Sequence, residues 1–412
     1  MKKEEFFREA RNDLSGPLHG LRVVELATTW AGPLCGCLLA DMGADVIKVE
    51  HPRGDVARSA PPLLPGTEPA LSFMQVTLNR NKRSLALDAS LGRGREVFLR
   101  LAGTADIVVE NLRPGTLDRW GIGYSALRAM RQDLVMVSIS GYGQYGSNAH
   151  RPGYDPIAQA ESGFLSLNGS PDGGPTKAPT FVGDDMAGLH ATIATLGALR
   201  HRDATGEGQH VDVSLVDAMM FQNPFLTLGA MGAELPRLGN EFRVAAPANV
   251  FHCRDGQMMS GVLVDAHWRA LAGVIGHPEL AEDPRYATNT ERLERRSEVN
   301  ELVGEWAAQH DVEDAVGQFA AAGIPAAPVN TYHEAARSGV VREREMLQEV
   351  SVEGNSIPVQ GPVPKFSRTP IAVRHGAPAL GAHTEEILHE LGFEAEELES
   401  LRAEGVTEAP QP

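Results

Sequence analysis

LRVVELATTWAGPLCGCLLADMGADVIKVE, residues 21–50, contains two short β-branched runs on either side of a helix-sized segment. The runs RVVEL at 22–26 and VIKVE at 46–50 predict two strands joined by a helix. Two further runs, IVVEN at 107–111 and VMVSI at 135–139, continue this pattern. Strands that alternate with helices are typical of a parallel sheet with crossover helices, so we predict an α/β fold.

The chain is also long enough for a second domain. Its 412 residues exceed one ordinary hydrophobic core, and its 42% apolar and 22% charged content is typical of a soluble globular protein. After another predicted strand, QHVDVSL at 209–215, the composition changes, and residues 237–325 become helical with charged faces. We therefore predict a smaller domain in that region.

The net charge of -17 disfavours nucleic acid and anionic membrane as partners. An anionic ligand must then be held by locally placed Arg, Lys and helix N-termini. No apolar run approaches ~20 residues, and the charged start MKKEEFFREARNDLSG differs from a signal sequence. Cys35, Cys37 and Cys253 predict neither a disulfide framework nor a metal site, and they favour a reducing cytoplasm.

Gly141, Gly143 and Gly146 match the GxGxxG pattern of dinucleotide-binding loops directly after a predicted strand. In a true dinucleotide site this loop opens a helix, whose N-terminus faces the pyrophosphate. Here Pro152 and Pro156 follow and oppose an immediate helix. We therefore interpret the pattern as unrelated to NAD or FAD binding, and we expect no permanently bound cofactor.

Residues 181–210, FVGDDMAGLHATIATLGALRHRDATGEGQH, predict a helix with a carboxylate at its N-terminus. Gly183 supplies a turn, and Asp184 and Asp185 supply the side-chain acceptors that helix N-termini favour. Taken alone, the pattern favours a capping aspartate, because acidic caps are common and nucleophilic carboxylates are rare.

Several segments of the chain together resemble the class III CoA transferases, a superfamily that includes formyl-CoA transferase, carnitine CoA-transferase and 2-methylacyl-CoA racemase. The resemblance covers nearly the whole chain, and the segments occur in the family's order. These segments are residues 21–55, LNRNKRSLALD at 78–88, ADIVVENLRPGTLDRWGIG at 105–123, LVMVSISGYGQYG at 134–146, RPGYDPIAQAESG at 151–163, the helix at 181–210, KFSRTP at 365–370 and GAHTEEIL at 381–388.

The resemblance implies that Asp184 is the catalytic nucleophile and that a coenzyme A thioester is a substrate. The spacing from Asp184 to Thr205 fits the formyl-CoA transferase branch, whereas starting from Asp185 leaves the helix one residue short. It also implies a set of substrate-binding residues: Thr28, Thr29, Trp30 and Ala31 along the pantetheine and thiol path, Lys48 and Arg58 near the nucleotide end, Leu78, Lys82, Asn111, Leu112 and Arg119 around the phosphates and adenine, and Tyr154 and Gly183 near the acyl group. The alternative for Lys48, Lys82 and Arg119 is that they are solvated surface charges.

Two other functions within the same superfamily stay open. The racemases need an acid/base group on each face of the α-carbon and carry a His where this chain has Tyr154. Tyrosine has an ordinary pKa near 10 and is a poor base at neutral pH, which disfavours racemization. The second alternative is a non-catalytic subunit of a heteromeric transferase, which is expected to lack the carboxylate that Asp184 retains.

Two departures from the formyl-CoA transferases bear on the substrate. Trp30 stands where those enzymes carry a glutamine, and CRDGQMMSGVLVD at 253–265 lacks their run of glycines. Trp30 either makes one wall of the acyl pocket more apolar or packs in the core. We interpret these departures as evidence against formate or oxalate, and we favour succinyl-CoA with a bulkier organic acid.

The resemblance further implies an interlocked homodimer in which each chain forms a ring around its partner. Exposed apolar residues such as Phe221, Phe225 and Leu228 would be buried in such a dimer. The implied parts are a Rossmann-like, CoA-binding large domain at 1–212, a connection at 213–240, a small α+β domain at 241–330, a connection at 331–350 and a C-terminal segment at 351–412 that returns to the large domain.

Overall fold

The computed structural model describes residues 1–222 and 224–408 and divides into two compact units. Unit 1 comprises Met1–Phe164, Ala178–Ala230 and Val340–Pro412, and unit 2 comprises Leu165–Lys177 and Met231–Gly339.

These limits differ from the expected domain boundaries. Residues 165–177 belong to unit 2 although they lie inside the expected large domain, and residues 213–230 belong to unit 1 rather than to a separate connection. The expected connection also contains Asn223, and the expected C-terminal segment contains residues 409–412. These positions lie outside the described residues.

The described chain contains strands and helices in alternation along its first 214 residues, and mainly helices thereafter. The strands are β1 (Arg22–Leu26), β2 (Asp45–Glu50), β3 (Lys82–Ala86), β4 (Ile107–Glu110), β5 (Val135–Ser140), β6 (His210–Ser214), β7 (Ala248–His252), β8 (Gln257–Gly261), β9 (Ala326–Pro328), β10 (Leu347–Val352) and β11 (Asn355–Gln360). The helices are α1 (Lys3–Phe6), α2 (Ala31–Asp41), α3 (Phe73–Leu78), α4 (Gly92–Gly103), α5 (Thr116–Trp120), α6 (Tyr124–Met130), α7 (Asp155–Glu161), α8 (Phe164–Leu167), α9 (Val182–Thr205), α10 (Leu215–Phe221), α11 (Phe225–Ala230), α12 (Asp265–Val274), α13 (Asn289–Glu294), α14 (Arg296–Ala307), α15 (Val312–Ala321), α16 (Tyr332–Arg337), α17 (Gly339–Glu343), α18 (Thr384–Glu390) and α19 (Ala395–Ala403). Within residues 1–222 and 224–408, none of these helices combines the length and apolar content needed to cross a membrane.

Strands β1 to β6 form one parallel sheet in the order β3-β2-β1-β4-β5-β6. The predicted α/β fold is confirmed, and the order is that of Rossmann-like folds. The direction of the strand order reverses between β1 and β4, and ligands of open α/β sheets bind outside the carboxyl ends of strands at this point. The first helix after β5 begins at Asp155, so the loop with Gly141, Gly143 and Gly146 opens no helix.

Two hydrophobic clusters cover the two faces of this sheet. Along each strand, alternate side chains point to opposite faces, so Val23 and Val24 of β1 belong to different clusters. The Val23 cluster includes residues of α2, α9 and α10, and the Val24 cluster includes residues of α4, α18 and α19. The sheet is therefore buried on both faces, which explains why its strands are apolar runs.

Helices α2 and α9 cross in close contact at Gly188. A Cβ atom at this position would lie 2.9 Å from Leu34 Cδ2 and 3.0 Å from the carbonyl oxygen of Ala31. Only glycine therefore allows the N-terminal halves of the two helices to approach so closely. This contact brings the loop before α2 next to the first turn of α9.

Unit 2 has its own sheet and its own core. Strands β7, β8 and β9 form a three-stranded antiparallel sheet, and helices α12, α14 and α15 contribute to its apolar cluster. Trp268 and Phe319 are fully buried in this cluster. Unit 2 is therefore an α+β unit with an independent hydrophobic core.

Candidate active site

Asp184 lies in the first turn of α9, but it does not cap that helix. The N-cap position is Phe181, and no side chain makes a cap hydrogen bond there. Instead, Asp155 at the start of α7 accepts a hydrogen bond from the backbone N–H of Gly183, with Oδ1 and N separated by 2.7 Å. Because Asp155 supplies the acceptor that the helix end needs, Asp184 is released from the capping role that its sequence position favoured.

The environment of Asp184 disfavours its charged form. Burial, together with the carboxylates of Asp155 and Asp185, raises the pKa of Asp184 from 3.8 to about 7. Desolvation and two like charges therefore outweigh the dipole of α9, which by itself favours the charged carboxylate. Perturbed carboxyl groups that face a cavity are candidates for catalysis.

Asp185 is already engaged in a structural contact. Its Oδ1 accepts a hydrogen bond of 2.7 Å from Trp30 Nε1, and the Trp30 ring stacks on Phe181 with a centroid distance of 4.4 Å. Asp184, in contrast, accepts no hydrogen bond from the residues that the structure describes. Of the two neighbouring aspartates, only Asp184 has a carboxylate free to react.

Asp184 lines a cavity of about 230 Å³ at the carboxyl edge of the sheet. Seven of the substrate-binding residues implied by the sequence, Tyr154 among them, line the same cavity. The wall consists of Thr28, Thr29, Trp30, Ala31, Asn111, Leu112, Arg113, Pro114, Ile139, Ser140, Gly141, Arg151, Pro152, Gly153, Tyr154, Asp184 and Leu215. Gly183 is buried and is not among the residues of this wall, and its N–H donates to Asp155, so its implied contact near the acyl group stays a prediction.

The loop before α2 is held in a fixed conformation by two polar side chains. Asn111 forms two hydrogen bonds of 2.8 Å with the backbone N–H and C=O of Thr28, as a neighbouring strand would. Asp55 accepts from the N–H of Thr29, whose φ of +68° is uncommon for a β-branched residue. Such strained residues are typical of functional sites, where the surroundings enforce the geometry.

Lys48 and Lys82 are not solvated surface charges, and neither lines the Asp184 cavity, so their implied contacts with the substrate stay predictions. Both ammonium groups are buried and form ion pairs with the fully buried carboxylate of Glu25, at 3.0 Å and 2.6 Å. Lys48 Nζ also donates to the carbonyl oxygen of Ala27, and Lys82 Nζ donates to that of Pro33. The two lysines therefore position both ends of the loop that carries Thr28 to Ala31.

Three other implied residues also lie away from the cavity wall. Leu78 is buried in α3. Arg58 forms a two-pronged ion pair with Glu50, and Arg119 is exposed and donates to Thr116 Oγ1. None of the three is among the residues that line the Asp184 cavity, so their implied contacts with the substrate stay predictions.

A second cavity of about 150 Å³ continues from the first, since Thr28 and Leu112 line both. Its wall includes the end of β2, with Glu50, and the ring of Trp120. It lies beside the topological switch point of the sheet, where nucleotides bind in open α/β folds.

Sequence reasoning missed several residues of this site. Asp155, Arg113 and Arg151 lie in segments that the family resemblance included, but their residue types alone gave them no role. Asp55 and Trp120 also lie in such segments, and only the folded loops bring them to the second cavity. No cluster of His, Cys, Asp or Glu in the described chain is suited to hold a metal ion.

Comparisons with known proteins agree with this geometry. The model of CoA-transferase family III matches residues 18–384. The chain is 36% identical over 400 residues to the succinyl-CoA–L-malate CoA-transferase beta subunit of Chloroflexus aurantiacus, covering 95% of this chain and 98% of that protein. It is 36% identical over 384 residues to the succinate–glutarate CoA-transferase of Agrobacterium fabrum, covering 91% and 96%. A crystal structure of a CAIB/BAIF family protein from Brucella suis superposes with a TM-score of 0.81 at 35% identity, covering 92% of this chain and 100% of that one. The helix that carries Asp184, the loop that faces it and these matches lead to one conclusion: the chain belongs to CoA-transferase family III.

Proposed function

We propose that this CoA transferase moves CoA from succinyl-CoA to a second, bulkier organic acid through intermediates bound covalently to Asp184. The observation that carries the proposal is the position of Asp184. This residue lines the cavity, does not cap α9 and accepts no hydrogen bond from the described residues. The succinyl donor is supported by the names of the relatives from Chloroflexus and Agrobacterium. Trp30 and Leu112 give the cavity apolar wall that suits a larger acyl chain.

The ionised Asp184 carboxylate attacks the acyl carbonyl of the donor, the C–S bond breaks, and the CoA thiolate leaves. The product is a mixed anhydride between Asp184 and the donor acid. The thiolate then attacks the aspartyl carbonyl, which releases the donor acid and leaves an aspartyl-CoA thioester. The acceptor carboxylate repeats these steps in reverse order, so no external base and no net proton transfer are required.

The test is a screen of acceptor acids with succinyl-CoA or acetyl-CoA as donor, in which new CoA esters are identified by mass. Hydroxylamine added with the donor alone should trap a hydroxamate at Asp184, because the anhydride and the thioester both react with it. Absence of any transfer product would exclude the function. An unmodified Asp184 peptide in the presence of turnover would exclude the covalent route alone.

The pH dependence should report the pKa of Asp184. Because a protonated carboxyl cannot attack the thioester, kcat/KM should rise with pH, about tenfold per pH unit below 7, and level off above it. In Asp185→Asn the midpoint should move to lower pH, since Asp185 is one cause of the raised pKa. A profile that is flat between about pH 5 and about pH 8 would contradict this expectation.

Racemization is the first alternative. Asp155 is committed to Gly183 N–H and to Gln159 Nε2, and Tyr154 is 65% exposed with no base beside it in the described chain. A chiral 2-methylacyl-CoA incubated in deuterated water should therefore show no measurable exchange at its α-carbon. Rapid exchange at neutral pH would favour a racemase over a transferase.

A role as one subunit of a heteromer is the second alternative, and the word "subunit" in the name of the Chloroflexus relative is what favours it. The intact Asp184 in an open cavity argues that this chain is itself catalytic. Transfer by the purified chain alone would decide in favour of the homomeric enzyme. Transfer only in the presence of a copurifying homologous chain would decide for the heteromer.

We also propose that the chain forms an interlocked homodimer. Helix α9 exposes an apolar row of Leu189, Ile193 and Leu196, and Phe221 of α10 is 77% exposed in the single chain. Such a contiguous apolar surface is typical of an interface. Mixing tagged and untagged protein under native conditions should give no mixed dimers, since exchange requires a ring to open. Rapid exchange would exclude the interlocked form, and an active monomer would exclude the dimer.

A further inference from the structure

Thr29 adopts a backbone conformation that its own side chain disfavours. Its φ is +68°, and among the four non-glycine residues of the described chain with positive φ it is the only one that branches at Cβ. Positive φ is a genuine outlier for a β-branched residue, so the surroundings of Thr29 must enforce this conformation. The contact that enforces it bears on the reaction, because Thr29 lines the cavity that contains Asp184.

Asp55 supplies this contact. Its two carboxylate oxygens lie 3.2 and 3.1 Å from the backbone nitrogen of Thr29, which donates to them. The Asp55 side chain is only 1% exposed, and it also accepts from the N–H of Ala57 at 3.0 Å and from Nζ of Lys48 at 3.4 Å. A buried carboxylate that is held by three donors has little freedom to move, so Asp55 is a rigid anchor for Thr29.

The hydrogen bond from Thr29 to Asp55 crosses the wall between the two cavities. Thr29 lines the cavity that contains Asp184, Asp55 lines the second cavity, and Thr28 lines both. The anchor therefore lies outside the cavity in which bonds are made and broken. Any effect of Asp55 on the reaction must pass through the loop.

Two other anchors hold the same loop without enforcing an unfavourable conformation. Asn111 binds the backbone of Thr28, and Asp185 binds the ring nitrogen of Trp30. Thr28 and Trp30 have negative φ and need no such enforcement. The left-handed turn at position 29 thus depends on Asp55, and this turn sets the direction in which the chain enters α2.

We propose that Asp55 is a positioning residue for CoA transfer, which holds Thr29 in the left-handed conformation and so keeps the loop before α2 in place opposite Asp184. The inference rests on the proposed CoA transfer and adds to it a residue that touches no reacting atom. A misplacement of about 1 Å at a reacting centre can lower the rate about a hundredfold. Glycine adopts positive φ about as readily as negative φ, so a glycine at position 29 would need the anchor far less.

The experiment is a double-mutant cycle. Exchange of labelled succinate into succinyl-CoA is measured for the wild type, Asp55→Ala, Thr29→Gly and the double variant, and kcat and KM are determined separately. Asp55→Asn is added, because its amide oxygen can still accept from the N–H of Thr29. The matched control is Asp283→Ala. Asp283 Oδ1 likewise accepts from the N–H two residues further on, at 2.9 Å, but Asp283 lines neither cavity. Circular dichroism confirms that each variant is folded.

Asp55→Ala should lower kcat by about tenfold to about a hundredfold and leave KM for succinyl-CoA within a few-fold. Thr29→Gly should cost less, and the double variant should have a higher kcat than Asp55→Ala, because glycine takes the required conformation without the anchor. Asp55→Asn should fall between the wild type and Asp55→Ala. Asp283→Ala should match the wild type.

A double variant no more active than Asp55→Ala would overturn the inference, since glycine at position 29 cannot repair a general loss of structure. Equal losses of kcat in Asp55→Ala and Asp283→Ala, or a loss in KM alone, would overturn it as well. Where Asp55→Ala does not fold, Asp55→Asn decides: a kcat that Thr29→Gly raises supports the inference, and one that Thr29→Gly leaves unchanged or lowers overturns it. A wild type that exchanges no succinate would instead overturn the proposed function.

Discussion

Replacing Asp184 with alanine is expected to lower the rate of CoA transfer by about four orders of magnitude or more, because no other described carboxylate in the cavity can form the covalent intermediate. Asp185→Ala should lower the rate far less, by about tenfold to about a hundredfold, through the lost hydrogen bond to Trp30. Steady-state rates with succinyl-CoA provide the measurement. Equal rates for Asp184→Ala and the wild type would exclude Asp184 as the nucleophile.

Asp184 should also lower the free energy of unfolding at neutral pH, because its charged form is disfavoured in the folded chain. The pKa of Asp184 is higher in the folded chain than its ordinary value of 3.8, so the folded state holds this proton more tightly. Asp184 therefore costs no stability at low pH, and the cost grows as the pH rises from about 4 through about 7. A rise of this size corresponds to at most about 4 kcal/mol, and partial solvent exposure reduces it to about 2 kcal/mol.

Asp184→Asn should accordingly be more stable than the wild type at about pH 8 and equal to it at about pH 3. Urea unfolding at the two pH values measures this difference, provided that both proteins are folded at the lower pH. A variant that is less stable than the wild type at the higher pH would show that the carboxylate is stabilised by its surroundings instead.

The second large effect concerns Glu25, which neutralises both buried lysines. Glu25→Gln should lower the free energy of unfolding by about 3 to 5 kcal/mol, because Lys82 would remain buried without an ion pair and Lys48 would keep only its pair with Asp55. The loop from Thr28 to Ala31 should loosen as well, since the lysines hold its ends. Urea unfolding measures the free energy of unfolding. A lower rate of CoA transfer would indicate that the loop from Thr28 to Ala31 has lost its fixed conformation.

Glu110→Gln is the matched control. Glu110 is also a buried glutamate at the carboxyl end of a neighbouring strand, but it forms no ion pair with the described residues, and burial raises its pKa to about 7. Its side chain accepts a hydrogen bond from the N–H of Leu112. The amide of glutamine has the same shape as the carboxyl group and still offers an oxygen acceptor to the N–H of Leu112. The free energy of unfolding should therefore fall by only about 1 kcal/mol in this variant. Equal losses in the two variants would mean that the ion pairs contribute nothing specific.

The sequence predicted the sheet because four of its strands contain short runs of β-branched apolar residues. Strand β3 was not predicted as a strand, since Lys82 and Arg83 at its start are charged and look like surface residues. Their environment depends on the order of the strands. Glu25 of β1 stands beside Lys48 of β2 in the strand register, and β3 lies on the other side of β2. A linear pattern does not contain this pairing, so the burial of both lysines was not predicted.

The same reason limited the prediction of the site. A capping aspartate and a nucleophilic aspartate are the same residue type at the same helix end, and the sequence around Asp184 fits both. The decision comes from Asp155, which lies 28 residues before Gly183 and reaches its N–H only in the folded chain. Asn111 and Thr28 are likewise joined across two strands. The family resemblance predicted many of the residues that line the cavity, and the contacts across the sheet show how those residues are held in place.

The close contact at Gly188 also limits how the enzyme can move. Since the side chain of Leu34 and the carbonyl oxygen of Ala31 pack directly against Gly188, we expect the two helices to move together. Asp184 on α9 and the loop that precedes α2 would then keep their separation when a substrate enters or leaves. We therefore expect other segments of the protein to move instead, and a methyl group introduced at position 188 to displace Asp184 without touching the substrate.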